Sequence, residues 1–384
     1  MKDITCVEDL RLLAKRRVPR MFFEYADHGS YTEDTLRANR DDLQKIKLRQ
    51  RVFLDVDKRS TETTVLGEKL SSPIILAPTG LTGMQHADGE ILACRAAHNA
   101  GTQFTLSTMS ICSIEAVAAA NPKPFWFQLY VMRDRDFIKA LIKRALDAKC
   151  SALMVTADLV VTGQRHRDIK NGLTVPPQMK IANLIDIATK PAWAWKILQT
   201  KNRSFGNLVG HVKGMDDVGS LGHWVASQFD PTLSWKDLEW IRDQWPGKLI
   251  LKGILDIEDA RIAAKIGCDG IVVSNHGGRQ LDGAPSSISA LPRIADAIGS
   301  ETEILFDGGV RTGQDVFRAL ALGAKAALIG RAFLYGLGAG GEAGVTTCLD
   351  VMRKELDITM ALAGCTTISD IGPQVLADYG RNSA

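Results

Sequence analysis

The chain of 384 residues contains no run of about 18 uncharged apolar residues, which argues against a membrane-spanning helix. Met1 to Arg20 alternates charge with short apolar runs and never builds the apolar stretch of a secretory signal. Its seven cysteines, at positions 6, 94, 112, 150, 268, 348 and 365, include no C-x-x-C pair. Odd in number and scattered, they argue against a disulfide frame or zinc cluster and for a reducing compartment, with no metal expected. Neither sign of charge dominates: 47 Lys and Arg against 44 Asp and Glu leave a net charge of +3, a field too weak to point to nucleic acid. The fingerprint G-x-G-x-x-G after an early strand is absent, which sets aside NAD bound in the Rossmann manner. No solenoid repeat or low-complexity tract is visible. What is present is an ordinary globular composition, 45% hydrophobic and 24% charged, with apolar material for a large core.

From about residue 73, short β-branched runs alternate with helical patterns, the signature of repeated βα units and a parallel sheet. The runs are Pro73 to Ala77, Phe104 to Leu106, Phe125 to Leu129, Leu153 to Thr156, Leu249 to Lys252, Gly270 to Ser274, Glu303 to Asp307 and Ala326 to Ile329. Helical patterns follow, among them Glu90 to Ala100, Asp134 to Ala148, Ile257 to Ile266, Ala290 to Ile298 and Gln314 to Leu322. Counting alone also fits a doubly wound open sheet. The polar residues tip the balance: Thr79, Ser107, Gln128 with Tyr130, Thr156 with Asp158, Lys252, His276, Asp307 and Arg331 lie at or just past the strand ends, where barrel enzymes carry their chemistry. The expected fold is an α/β (β/α)8 TIM barrel over residues 71–384, with a helical extension over 1–70, in a single domain. A long insertion, Leu159 to Trp245, follows the fourth strand and exceeds any usual connection.

The strongest local signal is Ser274-Asn275-His276-Gly277-Gly278-Arg279-Gln280, which puts an imidazole and a guanidinium three residues apart on a glycine-rich strand-end turn. Such a pair can take a proton and hold a carboxylate. Asp307-Gly308-Gly309-Val310-Arg311-Thr312 and Gly330-Arg331 follow the seventh and eighth strands, the usual phosphate site of a barrel, so a phosphate-bearing ligand is expected. Lys252, at the tip of the fifth strand, could stabilise negative charge on a reduced cofactor ring. Asp158 and Arg165 follow the fourth strand, where a carboxylate could pair with an imidazolium and a second guanidinium could complete a carboxylate clamp.

The SNHGGRQ run, the DGGVR turn, Pro78-Thr79-Gly80, Trp126-Phe127-Gln128-Leu129-Tyr130 and Lys252-Gly253 resemble the FMN-dependent 2-hydroxy acid oxidising family over nearly the whole chain. Leu48-Arg49-Gln50-Arg51, Phe104 to Thr108 and Ser234 to Arg242 look most like its bacterial membrane-associated L-lactate dehydrogenases. The resemblance implies that His276 removes the substrate proton, Asp158 stabilises the protonated imidazole and Tyr130 supports the substrate oxygen. It implies that Arg279, Arg165 and Tyr25 hold the carboxylate. Thr79, Gly80, Ser107, Gln128, Thr156, Lys252 and Ser274 would cradle the FMN ring and upper ribityl chain, Asp307 the ribityl hydroxyls, and Gly309, Arg311, Gly330 and Arg331 the phosphate. Met109 stands where plant glycolate oxidases have an aromatic residue, which puts a flexible thioether beside the substrate side chain. A homotetramer is also implied.

Residues 174–213 carry Lys180, Lys190, Lys196, Lys201, Arg203 and Lys213 against Asp186 alone. With Ile181 to Ile185 and Trp193-Ala194-Trp195, the segment reads as one that lies on an anionic membrane. The expectation is a peripheral dehydrogenase at the cytoplasmic face of the inner membrane, oxidising L-lactate or a similar small L-2-hydroxy acid to the 2-oxo acid and passing electrons to a quinone or cytochrome. The rivals are a soluble oxidase that reduces O2 to H2O2 and a catalytically inactive phosphate-binding scaffold.

Overall fold

The computed structural model describes residues 3–173, 178–210 and 227–377. Its centre is eight short strands: β1 (Ile74–Leu76), β2 (Thr105–Ser107), β3 (Trp126–Tyr130), β4 (Ala152–Thr156), β5 (Lys248–Ile254), β6 (Gly270–Val273), β7 (Glu303–Phe306) and β8 (Ala326–Ile329). Each overlaps one of the eight expected runs. All sequential neighbours from β2 to β8 pair in parallel, and β8 pairs with β1. A parallel bridge between Leu76 and Phe104 joins β1 to the start of β2 and closes the ring. The molecule is therefore a TIM barrel and not an open sheet.

Alternation along the strands divides the apolar residues into two sets. Ile75, Trp126, Met154, Ile250, Val272, Leu305 and Leu328 fill the barrel interior. Ile74, Leu76, Phe127, Leu153, Val155, Leu249 and Leu251 face the other way, under the surrounding helices. Two positions beyond the interior set, on the same face and nearer the C-terminal rim, come Ala77, Gln128, Thr156, Lys252, Ser274, Asp307 and Gly330. The site thus begins where an apolar filling gives way to a mostly polar layer.

The helical extension holds three helices, Val7–Arg17, Arg20–Asp27 and Asp34–Lys45. It also holds a hairpin of Thr63–Val65 and Glu68–Leu70, turned by Leu66 (φ 50) and Gly67 (φ 85). Val65, Leu66 and Leu70 plug the N-terminal end of the barrel. Strands of three residues are too short for alternation to show in sequence, and the tight left-handed turn is what builds them. The insertion carries helices Ile181–Ala188, Pro191–Gln199 and Trp235–Gln244; of the expected membrane segment, residues 174–177 and 211–213, Lys213 among them, lie outside the described residues. After β8 the chain runs into helix Arg331–Ala363, kinked at Gly340 and Gly341, which packs on the first helix.

Candidate active site

The C-terminal rim surrounds a cavity of about 560 Å³. Of the residues singled out in the sequence, Tyr25, Thr79, Gly80, Met109, Tyr130, Arg165, Lys252, His276, Arg279, Asp307, Gly309, Arg311, Gly330 and Arg331 line it. Ser107, Gln128, Thr156 and Ser274 are buried behind that lining. They connect it: Ser107 Oγ donates to Gln128 Oε1 at 3.0 Å and Gln128 Nε2 donates to Thr156 Oγ1 at 3.0 Å. On the other side Lys252 Nζ reaches Ser274 Oγ at 3.0 Å and Asp307 Oδ2 at 2.9 Å. Burial alone would lower the Lys252 pKa; the Asp307 and Asp158 carboxylates outweigh it and raise it, so the buried ammonium stays charged.

His276 sits at φ 57, a left-handed conformation that costs a non-glycine residue roughly 1–3 kcal/mol and persists only where its surroundings enforce it. Its Nδ1 lies 2.8 Å from Asp158 Oδ1. Donation from Nδ1 to that carboxylate leaves Nε2 as the proton acceptor. Burial lowers the His276 pKa below its ordinary value, although Asp158 pulls the other way, so the ring is a neutral base at pH 7. Burial would raise Asp158, but the charge and hydrogen bond of His276 hold it below the usual carboxylate range. The pair combines an ionised acid with a neutral imidazole, the arrangement of a general base and its orienting partner.

Facing this pair are two guanidinium groups. Arg279 lies 4.6 Å over the Tyr25 ring, and its Nη1 donates to the backbone carbonyls of Tyr25 and His28. Arg165 donates to Arg279 O at 3.3 Å and to Gln280 Oε1 at 3.2 Å. Burial and the neighbouring Arg279 charge lower the Arg165 pKa, which means the site gains stability from an incoming anion. Tyr130, buried among these groups, has its phenol pKa raised by desolvation and remains a neutral donor.

At the opposite end, Gly308 (φ 111) and Gly309 (φ 84) form a left-handed turn beside Arg311. A side chain on Gly309 would come within 2.3 Å of Asn39 O, so packing from outside the cavity demands glycine here as well as the ligand side. Arg331 donates to the carbonyls of Ala26 at 2.8 Å, Gly277 at 2.8 Å and His28 at 3.0 Å. Three of its five N–H donors thus brace the loops. An anion at this corner would meet Arg311 and the N-terminus of helix Arg331–Ala363.

Among the described residues, three buried atoms in and beside the cavity have no hydrogen-bond partner: Asp158 Oδ2, Arg279 Nη2 and Asp307 Oδ1. An acceptor open beside Asp307 suits ligand hydroxyls, and a donor open at Arg279 suits a carboxylate. Together with the cation at Lys252 and the anion corner, they fit a ring-bearing, polyhydroxylated phosphate cofactor such as FMN.

Sequence reasoning passed over Asp168, which lines the cavity with Oδ2 3.9 Å from Arg279 Nη2. Its spacing of three from Arg165, the residue that precedes the short helix His166–Lys170, was the available signal. It also passed over the apolar wall of Leu159, Leu173, Phe205 and Phe229, which the insertion supplies. No periodicity marks those residues, because their only shared feature is the wall they build.

A closed βα barrel with a histidine–carboxylate pair, an arginine clamp and a phosphate corner at its C-terminal rim defines a flavin-type oxidoreductase. The chain belongs to the FMN-dependent dehydrogenase family, whose pattern matches residues 14–378. It is 49% identical over 382 residues to an L-lactate dehydrogenase of Caulobacter sp. (strain K31), covering 98% of this chain and 100% of that protein. An L-lactate dehydrogenase of Haemophilus influenzae (strain PittEE) is also 49% identical, covering 98% of this chain and 99% of its own. The crystal structure of the monotopic membrane protein (S)-mandelate dehydrogenase superposes with a TM-score of 0.93 at 36% identity, covering 97% of this chain and 99% of that one. FMN is accordingly the cofactor.

Proposed function

We propose that the chain oxidises L-lactate to pyruvate and passes the electrons on to a membrane quinone or cytochrome. The observation that carries this reading is the His276–Asp158 pair sharing one cavity with Arg279 and Arg165, so that an anionic alcohol is gripped and deprotonated in one pose. FMN supplies the two-electron acceptor. His276 Nε2 takes the substrate proton, and Asp158 stabilises the imidazolium that results. Arg279, Arg165 and Tyr25 orient the carboxylate, and Tyr130 donates to the substrate oxygen. Met109 and Gly80 border the space for a small side chain. Thr79, Gly80, Lys252 and the buried chain of Ser107, Gln128, Thr156 and Ser274 hold the ring end; Asp307 takes the ribityl hydroxyls; Gly309, Arg311, Gly330 and Arg331 shape the phosphate corner.

The test is the visible spectrum of the purified holoenzyme mixed with L-lactate, D-lactate, glycolate or L-mandelate. L-lactate is expected to bleach the flavin bands fastest, and dye or quinone reduction to exceed oxygen consumption. Failure of L-lactate to bleach them would end the lactate reading, and brisk peroxide formation would turn the acceptor to O2.

A peripheral position at a membrane is supported by the insertion. Ile181, Leu184, Ile185, Trp195 and Leu198 are exposed on its two short helices, between 55% and 78% of their surface open, amid Lys180, Lys190, Lys196, Lys201 and Arg203. Apolar surface of that extent beside cations fits an anionic bilayer better than water. Among the described residues no helix is long and apolar enough to cross a membrane. Trp193 points the other way: it stacks on Phe22 at 5.5 Å and donates to Met84 O at 2.9 Å. Asp186 likewise accepts from Arg20 N at 2.6 Å. Deleting the insertion would therefore disturb the helix that carries Tyr25, and substitutions on the exposed face are the cleaner probe. Ile185→Glu with Trp195→Glu is expected to weaken partition onto anionic vesicles by at least roughly tenfold. Activity with a soluble dye should stay unchanged. Undiminished partition would remove the insertion from membrane binding. A homotetramer is proposed on the family resemblance, with the exposed Val52, Phe53 and Leu54 beside Leu362 as apolar surface available for it.

A further inference from the structure

We infer that Asn39, on the third helix of the N-terminal extension, is the positioning residue for His276. The inference rests on the reading of His276 as the base. Asn39 is 1% exposed and lies 236 positions before Asn275, its partner. The two amides pair reciprocally: Asn39 Nδ2 donates to Asn275 Oδ1 at 2.8 Å and Asn275 Nδ2 donates to Asn39 Oδ1 at 2.8 Å. Asn39 Oδ1 also accepts from Ser287 N at 3.1 Å, while Ser287 Oγ accepts from Asn275 N at 3.0 Å. Asn275 spends its remaining capacity on Gly278 N and Pro285 O, at 3.1 Å each. The backbone on both sides of His276 is therefore held through one buried amide pair, and a buried network this fully satisfied specifies a single geometry. The left-handed backbone at His276 needs such enforcement.

The same residue touches the phosphate turn. Asn39 O closes off the Cβ position of Gly309, and the next residue, Arg40, donates to Gly309 O at 2.7 Å. Helix Asp34–Lys45 thus stands between the histidine loop and the anion corner and sets one against the other.

The carboxylate clamp has further tethers of its own. Ser30 N donates to Gly278 O at 3.0 Å, Ser30 Oγ donates to Gln280 O at 2.7 Å, and Arg279 is tied to the carbonyls of Tyr25 and His28. Loss of Asn39 should therefore move the base and leave the clamp, a separation that kinetics can read.

The experiment compares FMN-loaded wild type, Asn39→Ala, Asn39→Asp and His276→Gln. Asn39→Ala removes the whole amide; Asn39→Asp keeps the acceptor for Ser287 and Asn275 but not the donor. For Asn39→Ala, kcat with L-lactate is expected to fall roughly tenfold to a hundredfold, as displacement of a catalytic group by about 1 Å would cause. KM should stay within about threefold. Asn39→Asp, which sets a buried carboxylate oxygen against Asn275 Oδ1, should fall at least as far, and hydrogen exchange across residues 274–280 should quicken in both. If both variants reduce the flavin at the wild-type rate, or both lose FMN or fail to fold, Asn39 is not a positioning residue for His276. If His276→Gln itself keeps the wild-type rate, it is the assignment of the base that fails.

Discussion

His276→Gln is expected to bind FMN and fold as the parent does, yet to slow flavin reduction by L-lactate by roughly 10² to 10⁴, the usual worth of a positioned general base. Glutamine can occupy the space and accept from a neighbour, but it cannot take the proton. The pH dependence carries an independent sign. The active imidazole is neutral, and burial sets its pKa below the ordinary value of 6.5. The wild-type kcat/KM should rise with pH through that lowered pKa and be level above it, and the variant should lack this limb. In Asp158→Asn the charge that opposes the lowering is gone. The limb should then move to still lower pH, while the rate falls because the imidazolium has lost its counter-charge. Stopped-flow bleaching of the flavin across the pH range reads both effects. Rapid reduction by His276→Gln would remove the imidazole from its role.

Arg279→Ala should act mainly through KM. Truncating one member of a buried charged contact costs about 2 to 5 kcal/mol, or at least roughly thirtyfold in kcat/KM. Arg279 Nη2 is the open donor of the clamp, while Nη1 ties the guanidinium to Tyr25 and His28. Its loss takes away the contact to the carboxylate and the platform under the Tyr25 ring together. Arg279→Lys should recover little, because one ammonium cannot hold the two carbonyls and reach the substrate as a fork does. Steady-state kinetics with L-lactate decide the matter. A kcat/KM within threefold of wild type would leave Arg165 as the clamp by itself.

The eight strands were legible because most are short apolar runs rich in β-branched residues with a polar residue at or just past the end, and the barrel followed from where those polar residues fell. Lys252 and Asp307 could be placed for the same reason: two residues past Ile250 and Leu305, the strand period returns to the inner face. Asn39 was not legible. It lies in the half-charged stretch DTLRANRDDLQK, whose helix is held by bonds to loops more than 230 positions away. Trp193 and Trp195 stand two apart and looked alike, yet one is packed on Phe22 and the other faces out.

By itself the sequence determined what local periodicity and motif can encode: a βα repeat of eight, a polar rim, an imidazole three residues from a guanidinium, and a glycine–arginine anion turn. Only the tertiary structure decided which of these converge. It brought Tyr25 to Arg279 across 254 positions, set Asp158 on the inner nitrogen of His276, tied Arg331 to three backbone carbonyls and gave Asn39 its place between two loops. The reason is physical: a strand's period is written in consecutive residues. Closure of the barrel and the pairing of most buried polar groups, by contrast, are settled between segments far apart in the chain.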